Sequence, residues 1–188
     1  MLHLNNKDYF MKPKLLLHFC CANCGAVPIE ILKQDFDLTL FWFNPNIQPR
    51  EEYEKRLKDG EKLAIITGLE IIKEFYQPAD WFKEIKDLEK EPEGGKRCKK
   101  CFQMRLEKTA QKAKELKFEF FATALTVGPQ KKAEIINNFG NQLSEKYQIA
   151  FFSADFKKKD GFKKSLEFSK KYDFYRQNYC GCIYSKDH

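Results

Sequence analysis

Five short apolar runs recur along the chain, and each is followed by a segment of helical character. The runs are KLLLHF (Lys14–Phe19), DLTLFWF (Asp37–Phe43), LEIIKEF, FEFFATAL (Phe118–Leu125) and IAFFSADF. Runs that stay apolar, instead of alternating with polar residues, suit strands buried on both faces, as parallel strands are. The stretches VPIEILKQ, REEYEKRLKDGEKLAIITG, PADWFKEIKDLEKE, CKKCFQMRLEKTAQKAKELK, KKAEIINNFGNQLSEKY and GFKKSLEFSKKY carry good helix formers at amphipathic spacing. Pro28 reads as a first-turn proline, Gly68 as a helix stop and Asp80 as a cap. The alternation predicts an α/β fold, a mainly parallel sheet with helices on both faces and right-handed crossovers, in a Rossmann-like three-layer architecture. The 188 residues are expected to form one domain, with 1–12 as a disordered N-terminal extension.

In such sheets, ligands sit outside the carboxyl ends of the strands. CCANC follows the first run, NPN (from Asn44) the second, TVGPQKK the fourth and ADFKKKDG the fifth, so all four are expected to open onto one rim. The chemistry concentrates there. Seven cysteines fall into three groups: Cys20, Cys21 and Cys24; Cys98 and Cys101; Cys180 and Cys182. Cys98 and Cys101 share one helical face, and Cys21 and Cys24 share a strand-to-helix turn whose free N–H groups favour thiolates.

Two C-x-x-C pairs fit either a four-thiolate zinc site or an iron–sulfur cluster. A zinc site leaves three thiols without work, whereas a cluster leaves them for electron or substrate chemistry. The tail pair in YCGC spans one glycine, so it reads as a strained redox-active disulfide or as two further metal ligands. No apolar run approaches the ~20 residues of a membrane span, and MLHLNNKDYFMKPK lacks the layout of a signal peptide. A cytoplasmic, reducing setting is therefore expected, which disfavours a disulfide scaffold.

The formal charge of +7 suits a polyanionic partner such as tRNA, or simply a solvated lysine-rich surface. Tyr53 and Arg56 lie three apart on the helix after NPN, and Arg176 and Gln177 lie beside the last thiols; all four are candidate RNA contacts or ordinary surface. Lys157, Lys158, Lys159, Lys163 and Lys164 are candidate phosphate contacts or bare surface. His18, inside a buried run, reads as a satisfied core residue, and His3 and His188 lie at the termini.

LLLHFCCANC, FNPNIQPREEYEKR, RCKKCFQMRLEKTA, DFKKKDGFKKS and YRQNYCGCIYS, taken in order, resemble the QueH-type epoxyqueuosine reductases over about Leu15 to Ser185. That resemblance implies a PP-loop-like (HUP-like) fold whose phosphate loop is replaced by CCANC. It implies reduction of epoxyqueuosine in tRNA to queuosine, with electrons from an external donor. It also implies a [4Fe–4S] cluster on Cys20, Cys21, Cys98 and Cys101, a second metal ion (iron or zinc) with Cys24 as a candidate ligand, and Cys180 with Cys182 as a redox pair. Cys24 can exchange roles with Cys20 or Cys21 in this scheme. Asn44 and Lys131 join the expected substrate contacts. Protonation of the departing oxygen needs an acid, for which Asp155 is the first candidate and Tyr179 the second; the plainer reading of Asp155 is a helix cap or a lysine partner. Where the family often has Ser-Pro followed by an aromatic or histidine, this chain has Gly128, Pro129 and Gln130.

Overall fold

The computed structural model describes residues 11–186. The expected extension over 1–12 lies mostly outside that range, as do His3 and His188. The elements run β1 (Lys14–His18), α1 (Ala22–Leu32), β2 (Asp37–Trp42), α2 (Arg50–Thr67), β3 (Ile71–Lys73), α3 (Pro78–Glu84), α4 (Lys96–Glu115), β4 (Phe120–Thr123), α5 (Ala133–Tyr147), β5 (Ala150–Phe151) and α6 (Gly161–Lys171), with short 3-10 turns at Ala124–Val127 and Ile183–Ser185. All strands pair in parallel, in the order β3-β2-β1-β4-β5. α1 packs with α2 and α6, and α4 packs with α3 and α5, which gives the two helical layers. The α/β expectation holds.

The continuous apolar run of β1 has a direct cause. Leu15, Leu16 and Leu17 are all fully buried because both faces of this central strand carry helices. The order reverses at β1, whose neighbours are β2 on one side and β4 on the other, so the crevice beyond β1 and β4 is the binding position of the fold. Among the described residues, no helix is long and apolar enough to cross a membrane.

Three local readings change. α1 starts at Ala22, so Pro28 lies inside the helix. Its missing N–H leaves the Cys24 carbonyl without a helical donor. The early start follows from Cys21, which caps the helix in an extended conformation while its sulfur accepts from the Cys24 N–H at 3.4 Å. α3 is preceded by Gln77, and Asp80 sits in the first turn without capping it. β4 stops at Thr123, whose hydroxyl accepts from Leu125 N at 3.2 Å and turns the chain into a 3-10 helix.

α5 lies so close to the edge strand that a Cβ built on Gly140 would fall 2.2 Å from the Phe151 ring. Gly140→Ala is expected to destabilise the protein by about 1–3 kcal/mol through overpacking, outweighing a gain of up to about 1 kcal/mol in helix propensity. Thermal denaturation should show the loss, and adding Phe151→Leu should recover part of it.

Candidate metal and redox centre

The site begins where β1 and β2 end. Asn44, just beyond β2, donates from Nδ2 to the Phe19 carbonyl at 3.0 Å and accepts from Arg105 Nη2 at 2.8 Å. One buried amide thus fixes the start of the cysteine turn and aims an α4 arginine beneath it. Beyond Phe19, the sulfurs of Cys20, Cys21 and Cys24 all lie within 4.8 Å of one another. Among the described residues, no other set of three or more Cys, His, Asp or Glu side chains meets that limit. A tetrahedral ion holding thiolates at about 2.3 Å would set its sulfurs about 3.8 Å apart, so the triplet is close to a single-ion geometry. Cys20 and Cys24 line a cavity, and three protein ligands with one open position is the pattern of reactive metal sites.

The triplet does not titrate as three ordinary thiols. Hydrogen bonds from Cys21 and Cys24 hold the Cys20 thiol well below its usual range, helped by the Arg105 and Lys131 charges against the cost of burial. The same bonds keep the protons on the donors: Cys21 is pushed up to about 12 and Cys24 is raised well above normal. One thiolate stabilised by two thiols results. Gln177 Nε2 donates to Cys21 Sγ at 2.9 Å, while its Oε1 accepts from Asn23 Nδ2 at 3.3 Å.

The other four cysteines form a neighbouring set. Cys98 and Cys101 stand in the first turns of α4, and Cys101 shares a small buried cluster with Cys182, Trp81 and Ile85. Cys98 accepts from Gly94 N at 3.2 Å. Lys131 Nζ lies 3.6 Å from Cys180 Sγ. Burial raises the Cys98 and Cys182 thiols and pushes Cys101 up to about 11, and proximity to Cys180 adds to all three. Cys180 and Cys182 are free thiols in this structure.

The tail that carries them is held from inside. Arg56 donates from Nη1 to the Cys180 carbonyl at 3.0 Å and from Nη2 to the Tyr179 carbonyl at 3.1 Å, while Nε meets Glu52 at 2.7 Å. Gly181 passes over this guanidinium at φ +107, with the position of a Cβ only 3.1 Å from Arg56 Nη1. Only glycine suits that step of YCGC. Arg97, also buried, caps the other side with bonds to the Glu89, Glu91 and Tyr184 carbonyls.

Several candidate residues take roles other than those expected. Tyr53 is buried, stacked on Tyr76 at 4.0 Å and edge-on to Trp42, so it packs in the core. Arg56 is spent on the tail, and Asn44 on Phe19 and Arg105. Asp155 faces Lys157 at 3.6 Å, as a lysine partner. Tyr179 donates its hydroxyl to the Gln48 carbonyl, and burial, with Glu52, pushes it up to about 12. Lys157 donates to the Lys131 carbonyl at 2.7 Å and so braces the loop. Arg176 is exposed. His18 is a satisfied core residue as expected, donating to the Phe43 carbonyl and accepting from Thr123, and burial holds it neutral with a pKa of about 3. Arg97 and Arg105 were not among the candidates. Their spacing from Cys101, four positions to either side on α4, was the available signal.

The cavity measures about 280 Å³ and is lined by Cys20, Cys24, Lys131, Phe162, Gln177 and Cys180, among others. A larger hollow of about 780 Å³ between α2 and residues 173–175 contains no thiol. Lys131 projects into the smaller one. Its proximity to Cys180 raises its pKa above the usual lysine range, against the cost of burial, so it stays an ammonium.

A family model described as epoxyqueuosine reductase QueH matches residues 15–188. The chain belongs to that family. Relatives carrying the same name include proteins of Streptococcus pyogenes serotype M1 (40% identical, covering 93% of this chain and 71% of the relative), Thermotoga maritima (37%, covering 91% and 89%) and Dehalococcoides mccartyi (37%, covering 94% and 94%). The family's name is that of an oxidoreductase acting on epoxyqueuosine. A solved structure described as a predicted subunit of tRNA methyltransferase from Methanocaldococcus jannaschii superposes with a TM-score of 0.54 at 15% identity, covering 84% of this chain and 76% of that one. That likeness concerns the fold alone.

The thiol environment makes the metal-free protein alkali-sensitive. Unfolded thiols ionise near 9.0, but folded Cys101 keeps its proton to about 11 and Cys21 to about 12. Above pH 9 the folded chain therefore binds more protons than the unfolded one, and stability falls as pH rises. The melting temperature of metal-free protein is expected to drop between about pH 9 and pH 11, and Cys101→Ala should flatten that drop. An unchanged slope in the variant would refute the assignment.

Proposed function

We propose that this chain reduces epoxyqueuosine in tRNA to queuosine. The observation that carries this reading is the gathering of seven thiols, three buried arginines and the half-buried Lys131 at the switch point of the sheet, in a chain of this family. The reaction breaks both C–O bonds of the epoxide, forms a C=C bond and releases water, consuming two electrons and two protons. The residues fit a thiolate-held centre: seven sulfurs, no competing disulfide among them, and Arg56, Arg97, Arg105 and Lys131 to balance an anionic cluster. When bound, a [4Fe–4S] cluster supplies single electrons and an adjacent metal ion supplies Lewis acidity toward the epoxide oxygen. An external donor provides the electrons, and the setting is the cytoplasm, with 1–188 acting as one domain.

The ligand sets follow one of two divisions. The family resemblance puts the cluster on Cys20, Cys21, Cys98 and Cys101, leaving Cys180 and Cys182 as a redox pair. The 4.8 Å triplet favours a second division, in which Cys20, Cys21 and Cys24 hold the single ion and Cys98, Cys101, Cys180 and Cys182 hold the cluster. Anaerobic iron and sulfide analysis separates them. In the second division Cys180→Ser and Cys182→Ser lose sulfide and iron together; in the first they keep both and lose turnover. A protein that binds zinc and no sulfide would overturn the reading altogether.

For proton delivery, Lys131 is better placed than Asp155 or Tyr179. It is the one of the three whose donor is not already engaged by a carbonyl or opposed by a lysine, and its ammonium lines the cavity. Lys131→Met is expected to lower turnover by about 10²- to 10⁴-fold with iron content unchanged. Parallel loss of iron would show a structural role instead.

A further inference from the structure

Of the large apolar side chains left exposed among the described residues, Phe162 is the one that lines the thiol cavity. The residue is 40% exposed. A lone exposed phenylalanine is unremarkable elsewhere on a surface, but this one is held in place at some cost. The two residues that lead into α6 before Gly161, Lys159 and Asp160, both adopt left-handed backbone conformations, at φ 52 and φ 61. Neither is glycine, and such conformations persist where the surroundings enforce them, often at binding sites. Gly161 is pressed against the preceding turn so closely that a Cβ would fall 1.8 Å from the Phe156 carbonyl oxygen, and its N–H bonds to Lys158 O at 3.1 Å. The turn therefore fixes the backbone from which the Phe162 side chain lines the cavity.

The chemistry around the ring is cationic. Lys158, Lys159, Lys163 and Lys164, near it in the chain, are all exposed, and Lys131 lines the cavity. An aromatic face among solvated lysines, at the entrance to a cavity of about 280 Å³, matches what single-stranded RNA needs: a stacking surface for a base and charges for the flanking phosphates.

We propose that Phe162 is the stacking platform for the RNA nucleotide adjoining the one whose modified ring enters the cavity, with the flanking lysines on its phosphates. This rests on the tRNA reading above and adds to it the residue that positions the loop. The reacting ring occupies the thiol cavity, so the base beside it in the strand is the one that meets the mouth.

The test uses the metal-loaded protein and a fluorescent anticodon stem-loop RNA, with binding read by anisotropy at several salt concentrations. Phe162→Ala is expected to weaken binding roughly 5- to 150-fold, the range of one lost base stack, with the salt slope unchanged, because no phosphate contact is removed. Phe162→Trp should restore affinity and Phe162→Leu should not. Lys163→Ala with Lys164→Ala should instead flatten the salt slope by up to about one unit per contact. An RNA made abasic at the adjoining nucleotide should bind weakly to the parent protein and show no further loss with Phe162→Ala, since both changes delete the same contact. Unchanged affinity for Phe162→Ala, or additive losses with the abasic RNA, would overturn the proposal while leaving the reductase reading intact. A parent protein that binds the stem-loop no better than unrelated RNA would sink both.

Discussion

Three arginines buried under the carboxyl edge of a parallel sheet, with one half-buried lysine, set the terms for everything around them. Arg56, Arg97 and Arg105 are almost wholly inaccessible, and Lys131 reaches in beside them. Cations desolvated in this way are strongly unfavourable unless anions or carbonyls answer them. Glu52 answers one, main-chain carbonyls of the tail and of the loop before α4 answer others, and the thiols supply the rest. Arg105 keeps its charge despite burial, with the Cys20 sulfur foremost among the groups that favour it. The same positive field helps hold Cys20 as a thiolate, a good ligand for soft metals, while burial keeps Cys101 protonated. Fold stability and metal affinity therefore share one electrostatic origin.

The C-terminal tail completes the site from outside the regular fold. It belongs to no strand or long helix, yet it delivers Gln177, Cys180 and Cys182 to sulfurs encoded far earlier in the chain. Arg56 does this by bonding main-chain carbonyls, which fixes the path of the tail regardless of its side chains. Gln48 strengthens the seam: its N–H donates to the Gly181 carbonyl at 2.8 Å, and its own carbonyl accepts from Tyr179. Residues that resembled RNA contacts in a linear reading are thus the fastenings of an internal wall. Desolvated arginine with several carbonyl partners is a rigid fastening.

Much of this architecture was legible beforehand. Wholly apolar runs separated by amphipathic segments gave the parallel sheet, because only strands covered on both faces can be apolar throughout. Cysteine grouping pointed to the rim, since loops after strands open at one edge. The neutral buried role of His18 also followed from its place in β1. The role of Tyr53 did not, because three-residue spacing says which side chains share a helical face but not whether that face meets solvent or another layer. Pro28 misled in a similar way. A thiol cap at Cys21 started the helix earlier than proline chemistry alone suggests.

The sequence by itself determined the order of the strands and helices, the number and grouping of the thiols, and the family to which the chain belongs, because these depend on local pattern and on motif order. Only the tertiary structure decided which sulfurs are neighbours, which arginines face inward and that Lys131 and Phe162 share a cavity with Cys180. Those relations depend on distances between residues more than a hundred positions apart in some cases, such as Arg56 and Cys180. Such distances are set by how helical layers stack on the sheet, and no spacing within a single segment encodes them.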